Sequence, residues 1–366
     1  MSATLFDHHH PLTQEFSEAI YTSLESFLET QRQSLEVAGV GASMEPLFNQ
    51  VLHYAQGGKR IRSAFCVWAY LGFSGQDPDS AVMDVAASLD LLHISALVHD
   101  DVIDRSQTRR GGPTAHRWFA EEHTRNAWSS DADHYGMSAS ILLGDLLAMW
   151  SVALMEQAAI PSASAHKIRP LGEAVRSEVL VGQYLDLLAE SRPLDADRVL
   201  ADARLVLDYK TAKYTVARPT QIGGALGGAS DEALDQLGVF GAHIGRAFQL
   251  RDDVLGVFGD PELTGKPSGD DLRCGKKTIL VGYALRDMSA PARQEFFTLL
   301  GKAHLSEAEV NRARGLLLDC GALERTEQEI AQEVQAGMVI LPTLGLSDRG
   351  LEGLSQLVTA CVERQS

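Results

Sequence analysis

The chain has 366 residues, 45% hydrophobic and 22% charged, with a formal net charge of −17. That is enough apolar material for one large buried core, and a field of this sign repels nucleic acid, which is not expected as a partner. Cys66, Cys274, Cys320 and Cys361 stand far apart without a C-x-x-C pair, which argues against a zinc site or disulfide framework and fits a reducing, cytoplasmic setting.

The opening MSATLFDHHHP lacks a basic start followed by an apolar run, so no signal peptide is expected. Residues 1–15 read as a flexible N-terminus, with His8, His9 and His10 a terminal run without a metal role. Residues 16–366 read as a single all-α domain. Apolar residues recur at three- and four-residue steps through 16–36, 46–55, 61–73, 81–104, 138–159 and 171–190. They do so again through 200–226, 232–258, 276–287, 291–301, 306–318, 321–338 and 350–363. No stretch reaches 18 uninterrupted apolar residues, so no membrane span is expected. Three loops, 105–118, 121–135 and 259–277, are rich in glycine, acids and cations, as function-bearing loops tend to be.

The first motif is Gly57-Gly58-Lys59-Arg60-Ile61-Arg62. It reads equally as a basic surface turn or as an anion site, with glycines admitting the anion and Lys59 and Arg62 adding donors. The second is Asp100-Asp101-Val102-Ile103-Asp104, closing an apolar helix. Asp100 and Asp104 are four apart and share one face. Acids at a helix C-terminus oppose the macrodipole and call for a counter-ion, and hard oxygen donors at this spacing suit Mg²⁺. The third is Gln249-Leu250-Arg251-Asp252-Asp253, whose carboxylates could oppose the first set across a cavity and help neutralise a diphosphate leaving group. Arg109-Arg110, Lys210-Thr211-Ala212-Lys213-Tyr214, Lys266 and Lys276 would each pass alone for solvated charges. Together they put cations beside both acid clusters.

These segments, GGKRIR, DDVIDRSQTRRG, GQYLD, KTAKYT and QLRDDVLGVFGDPELTGKPSGDDLRCGKK in this order, resemble the trans-isoprenyl diphosphate synthase (polyprenyl synthetase) family over about residues 50–290. The resemblance implies antiparallel helices around a central cavity, a homodimer, and three Mg²⁺ ions per active site. It implies that Asp100, Asp101, Asp104 and Asp252 bind metal, with Asp186 and Asp253 as further ligands. Arg109, Lys210 and Lys266 would hold an allylic diphosphate. Lys59, Arg62, His93 and Arg110 would hold isopentenyl diphosphate. Gln183, Thr211, Tyr214, Gln249 and Lys276 would line or support the site. One departure stands out: the usual third aspartate of the second acid motif is Gly256.

The implied reaction is head-to-tail condensation of an allylic diphosphate with isopentenyl diphosphate. Ser95 and Ala96, one turn before Asp100, are small, and Leu92 and Leu89 follow. With about 5 Å per isoprene unit or helical turn, a product longer than farnesyl is expected, with geranylgeranyl diphosphate favoured. The alternatives are a farnesyl or longer-chain synthase, a class I terpene cyclase, and a non-catalytic regulatory subunit.

Overall fold

The computed structural model describes residues 5–109, 111–260, 269–302 and 304–363. Among these the regular structure is helical apart from a hairpin pairing Thr108–Arg109 (β1) with Gly112–Pro113 (β2). The chain clusters into two compact units. Unit 1 comprises Met1–Gly172, Ile222–Ala229 and Ser347–Leu354; unit 2 comprises Glu173–Gln221, Ser230–Leu346 and Ser355–Ser366.

In unit 1 the helices are α1 (Gln14–Val37), α2 (Gly41–Ala55), α3 (Ile61–Ser74), α4 (Ser80–Ile103), α5 (Ala115–Arg125) and α6 (Ala132–Gln157). Asp79 starts α4 by accepting from the Val82 amide at 3.0 Å, as a side-chain cap does for an otherwise orphaned donor. The helix is apolar all round, which suits a helix enclosed by others, and Val85, Ala86, Leu89, Leu91, Leu92, Ile94 and Val98 are buried. Close packing of α6 on α4 depends on Gly144, where an added Cβ would stand 2.2 Å from His99 Nε2. The opposite side of α6 stays open, exposing Leu142 and Met149.

Two expectations differ from what unit 1 shows. Residues 5–13 are tied down: Phe6 is buried, Arg349 Nη2 donates to its carbonyl at 2.9 Å, and the Trp68 indole donates to the Pro11 carbonyl at 3.3 Å. Residues 115–125, read as parts of two loops, form α5. Its buried Ala115, His116, Phe119, Ala120 and His123 make a helical stripe that polar neighbours obscure.

Unit 2 contains the later part of α7 (Ser162–Ser191), α8 (Ala196–Val206), the first residues of α9 (Arg218–Leu226) and α10 (Asp231–Phe258). Helices Ile279–Asp287, Ala290–Leu299, Glu307–Asp319 and Ala322–Met338 complete its core with Phe240, Ile244, Leu280, Phe296, Val310 and Ile330. The helix expected over 200–226 is broken in kind: Leu207–Ala217 is an 11-residue π-helix carrying the Lys210–Tyr214 motif. Such segments are rare and gather at functional sites. Backbones approach it closely at two glycines: a Cβ on Gly182 would lie 2.3 Å from the Lys210 nitrogen, and one on Gly245 would lie 2.4 Å from Ala212 Cα.

Candidate active site

In unit 1 the first acid motif occupies the last turn of α4. Asp100 is half-buried and Asp104, the C-cap, is exposed, so the two share one accessible face. Asp101 does not join them. Successive helix residues turn by about 100°, and its side chain points inward, fully buried. There it accepts from Tyr54 Oη at 2.9 Å and from Arg109 Nε at 2.7 Å and Nη2 at 2.6 Å. Where a metal ligand is expected, both of its oxygens accept hydrogen bonds from protein donors. After α4, Arg105 takes a left-handed φ of 55°, and the hairpin returns Arg109 to the motif. Thr114 closes the loop's base, donating from its amide to the Gln107 carbonyl and from its hydroxyl to the Ser106 carbonyl.

Burial works against the Arg109 charge, but Asp101 and, more weakly, Asp100 and Tyr54 outweigh it and hold the guanidinium above its ordinary range. Burial and then the Asp101 charge raise Tyr54, which keeps its proton as a donor.

The glycine-rich segment splits by direction. Gly57 and Gly58 have φ of +83° and +94°, and Arg60 has 50°, a region that favours glycine. Lys59 is exposed and Arg62 half-buried. Arg60, which sequence spacing did not single out, turns inward. It donates from Nη1 to Asp90 at 2.8 Å and from Nη2 to the Ala55 carbonyl, with both charged side chains buried. The available signal was Asp90 itself, an acid inside the apolar run AASLDLLHIS, since a buried charge needs a partner.

His93 and Ala96 are half-buried on α4, and Leu92 is in the core. Ser95 is buried and donates to the Gly144 carbonyl at 2.7 Å. Its side chain therefore belongs to the α4–α6 contact.

In unit 2, Lys210 Nζ meets Asp186 Oδ2 at 2.6 Å, so the proposed diphosphate cation and metal ligand pair with each other. Thr211 donates to Gln249 Oε1 at 2.7 Å, and Gln249 Nε2 donates to Asp253 Oδ1 at 2.8 Å. Tyr214 is buried, while Gln183 and Asp252 are half-buried. Asp253, expected as a further ligand, repeats the pattern of Asp101: it faces inward and is buried. Burial, opposed by the Gln249 hydrogen bond and aided by Asp271 and Asp252, pushes its carboxyl well above the usual range. Lys276 pairs with Asp271 at 3.4 Å. Arg110 and Lys266 lie outside the described residues.

Among the described residues no three carboxylate, histidine or cysteine side chains gather into a cluster that could hold an ion. The donors nevertheless fit Mg²⁺, which takes one or two carboxylates, keeps several waters and completes its shell with substrate phosphates. Asp100 and Asp104 are such a pair, and Asp252 is a further accessible carboxylate.

The family model for polyprenyl synthetase matches residues 45–317. The chain belongs to the polyprenyl synthetase family. It is a prenyltransferase, with the all-α fold of its relatives. It is 32% identical over 312 residues to the geranylfarnesyl diphosphate synthase of Aeropyrum pernix, covering 84% of this chain and 91% of that protein. It is equally identical to a (2E,6E)-farnesyl diphosphate synthase of Mycobacterium tuberculosis, with 84% and 80% covered. A crystal structure of geranylgeranyl pyrophosphate synthase from Corynebacterium glutamicum, complexed with isoprenyl diphosphate and magnesium, is 35% identical. It aligns over 96% of this chain and 99% of its own with a TM-score of 0.88. These polyprenyl synthetases make products of different length, so membership alone leaves chain length open.

Proposed function

We propose that this polyprenyl synthetase condenses an allylic diphosphate with isopentenyl diphosphate, with Mg²⁺, to an all-trans product, chiefly geranylgeranyl diphosphate. The observation that carries this reading is the Asp100–Asp104 face with Arg109 folded back beside it, in a chain holding the family's motifs in order. The carboxylates that would hold Mg²⁺ are Asp100 and Asp104 in unit 1 and, separately, Asp252 in unit 2. Bound there, the metal would supply Lewis-acid stabilisation of the departing pyrophosphate. Arg109 adds fixed positive charge beside the Asp100–Asp104 face, where that group develops its own; Lys210 is the corresponding cation proposed in unit 2. Lys59 and Arg62 bring donors on and after a glycine loop to the isopentenyl diphosphate. The apolar side chains before Asp100 shield the allylic cation from water until its alkylation of the double bond and the loss of a proton.

The protein acts in the cytoplasm as a homodimer. Two helices, α4 and α6, are long and apolar enough to cross a membrane, and α4 is 72% buried over the window concerned. The open side of α6 carries Leu142 (65% exposed) and Met149 (62%), one heptad apart, with the acidic Asp145 between them. That mixture suits a second copy of the chain better than lipid.

The test is incubation with isopentenyl diphosphate, Mg²⁺ and dimethylallyl, geranyl or farnesyl diphosphate, with mass analysis of products. Chain extension ending chiefly at geranylgeranyl diphosphate is expected. No extension from any starter, or release of a hydrocarbon from geranylgeranyl diphosphate alone, overturns the reading.

A further inference from the structure

We propose that Tyr54 is a positioning residue for the diphosphate site: through its hydrogen bond to the buried carboxylate of Asp101 it fixes Arg109 in the orientation that binds the allylic diphosphate. This rests on the reading above. Tyr54 lies on α2, three residues before the Gly57–Gly58 loop, and is buried. Its phenol oxygen does two things at once. It donates to Asp101 Oδ2 at 2.9 Å and accepts from the Ala115 amide at 3.0 Å. Ala115 begins α5, directly after the hairpin that carries Arg109. One hydroxyl therefore ties the end of α4 to the start of α5 and closes the loop bearing the arginine from both sides.

The bonding around Asp101 explains why this matters for binding. Both carboxylate oxygens are taken by donors: Oδ2 by Tyr54 and Arg109, Oδ1 by Arg109 Nε and Nη2. A two-point grip on Nε and Nη2 sets the plane of the guanidinium, as in bidentate arginine–carboxylate pairs. Nη1 takes no part in that grip. Arg109 Nη2 also reaches to 3.9 Å from Asp100 Oδ2, at the accessible face of the acid motif. Asp101 thus serves the substrate through Arg109, and Tyr54 serves Asp101. A group held ready in its binding geometry loses less freedom on binding, and affinity rises accordingly.

The experiment compares the full-length wild-type enzyme with Tyr54→Phe, Asp101→Asn and the double variant. Phenylalanine fills the same ring volume, so the fold is expected to survive. Asp101→Asn is the second probe should it not, because it keeps the side-chain shape while weakening the grip on Arg109. Three quantities are read: KM for each substrate against kcat, the Kd of inorganic pyrophosphate for the metal-free protein by calorimetry, and Tm. Tyr54→Phe should raise the allylic KM and the pyrophosphate Kd by about fivefold to tenfold, the size of one lost hydrogen bond. The isopentenyl KM should stay within about twofold, because Lys59 and Arg62 follow the Gly57–Gly58 turn and are not on the hairpin that Tyr54 closes, and adding Tyr54→Phe to Asp101→Asn should cost little more. Unchanged allylic KM and pyrophosphate Kd, with only a lower Tm, would assign Tyr54 a purely structural role and overturn the proposal. So would a full additional loss in the Asp101→Asn background. A wild-type enzyme that fails to condense the two diphosphates defeats the functional reading instead, so the two failures are distinguishable.

Discussion

The carboxylate of Asp271 lies over Gly256 so closely that a Cβ at position 256 would stand 1.9 Å from Asp271 Oδ2. Gly256 is where the family's second acid motif usually has its third aspartate, four residues after Asp252 on α10. In this chain a carboxylate from the segment Asp270–Cys274 fills that space. Restoring a side chain there should therefore harm the protein. Overpacking typically costs about 1–3 kcal/mol, and Gly256→Ala or Gly256→Asp is expected to lower Tm by several degrees. In an Asp271→Ala background Gly256→Ala should cost almost nothing, and calorimetric melting of the four proteins measures that coupling.

Product length should respond to Ala96 more cleanly than to Ser95. Ala96 precedes Asp100 by four residues and shares its face, and it is half-buried. Ser95 is turned toward the Gly144 carbonyl. Ala96→Phe is expected to shift the product toward farnesyl diphosphate with Tm nearly unchanged. Ser95→Phe must push α6 away and should lower Tm by several degrees. Mass analysis of products beside thermal melting separates the two. An unshifted profile for Ala96→Phe counts against a tunnel along this face.

The Arg60–Asp90 pair should hold the Gly57–Lys59 segment in place. Removing one partner of a buried pair leaves an uncompensated charge and costs about 3–5 kcal/mol, so Asp90→Ala should be strongly destabilising. Replacing both partners, Arg60→Met with Asp90→Leu, should recover most of the Tm. It should not recover the order of the loop, and hydrogen exchange at residues 57–62 should stay faster than in the wild type.

Stability at acid pH should depend on Glu178. Burial raises its carboxyl, but hydrogen bonds and charge from Arg218, with Lys213 adding to both, more than offset this and leave it below the ordinary 4.5. A carboxylate whose folded value is depressed binds fewer protons folded than unfolded. Its contribution is complete above 4.5 and is lost as pH falls through the lower folded value. Glu178→Gln is expected to cost about 2 kcal/mol at pH 7. The Tm gap to wild type should narrow as the pH is taken below 4.5.

Dimer formation should depend on the outer side of α6. Two charges at its centre, Leu142→Glu with Met149→Glu, are expected to yield monomers in sedimentation analysis without loss of helicity, since neither side chain is in the core. Sedimentation of the wild-type chain as a monomer would rule the interface out.

The sequence alone determined the helical class, the order of the motifs and the face shared by Asp100 and Asp104, because helix periodicity is local and four-residue spacing fixes a direction. It also located the cations, whose chemistry is written in residue type. Only the tertiary structure decided which member of each Asp-Asp pair turns inward, since a step of one residue is ambiguous until neighbours such as Tyr54, Arg109 and Gln249 take up one of the two carboxylates. The same holds for α5, whose polar stripe hides a buried face, and for the π-helix at Leu207–Ala217, where packing against Gly182 and Gly245 accompanies a backbone that no residue preference specifies. The filling of the space over Gly256 by Asp271 joins residues 15 positions apart, and long-range contact of that kind is decided by packing, which sequence spacing does not contain.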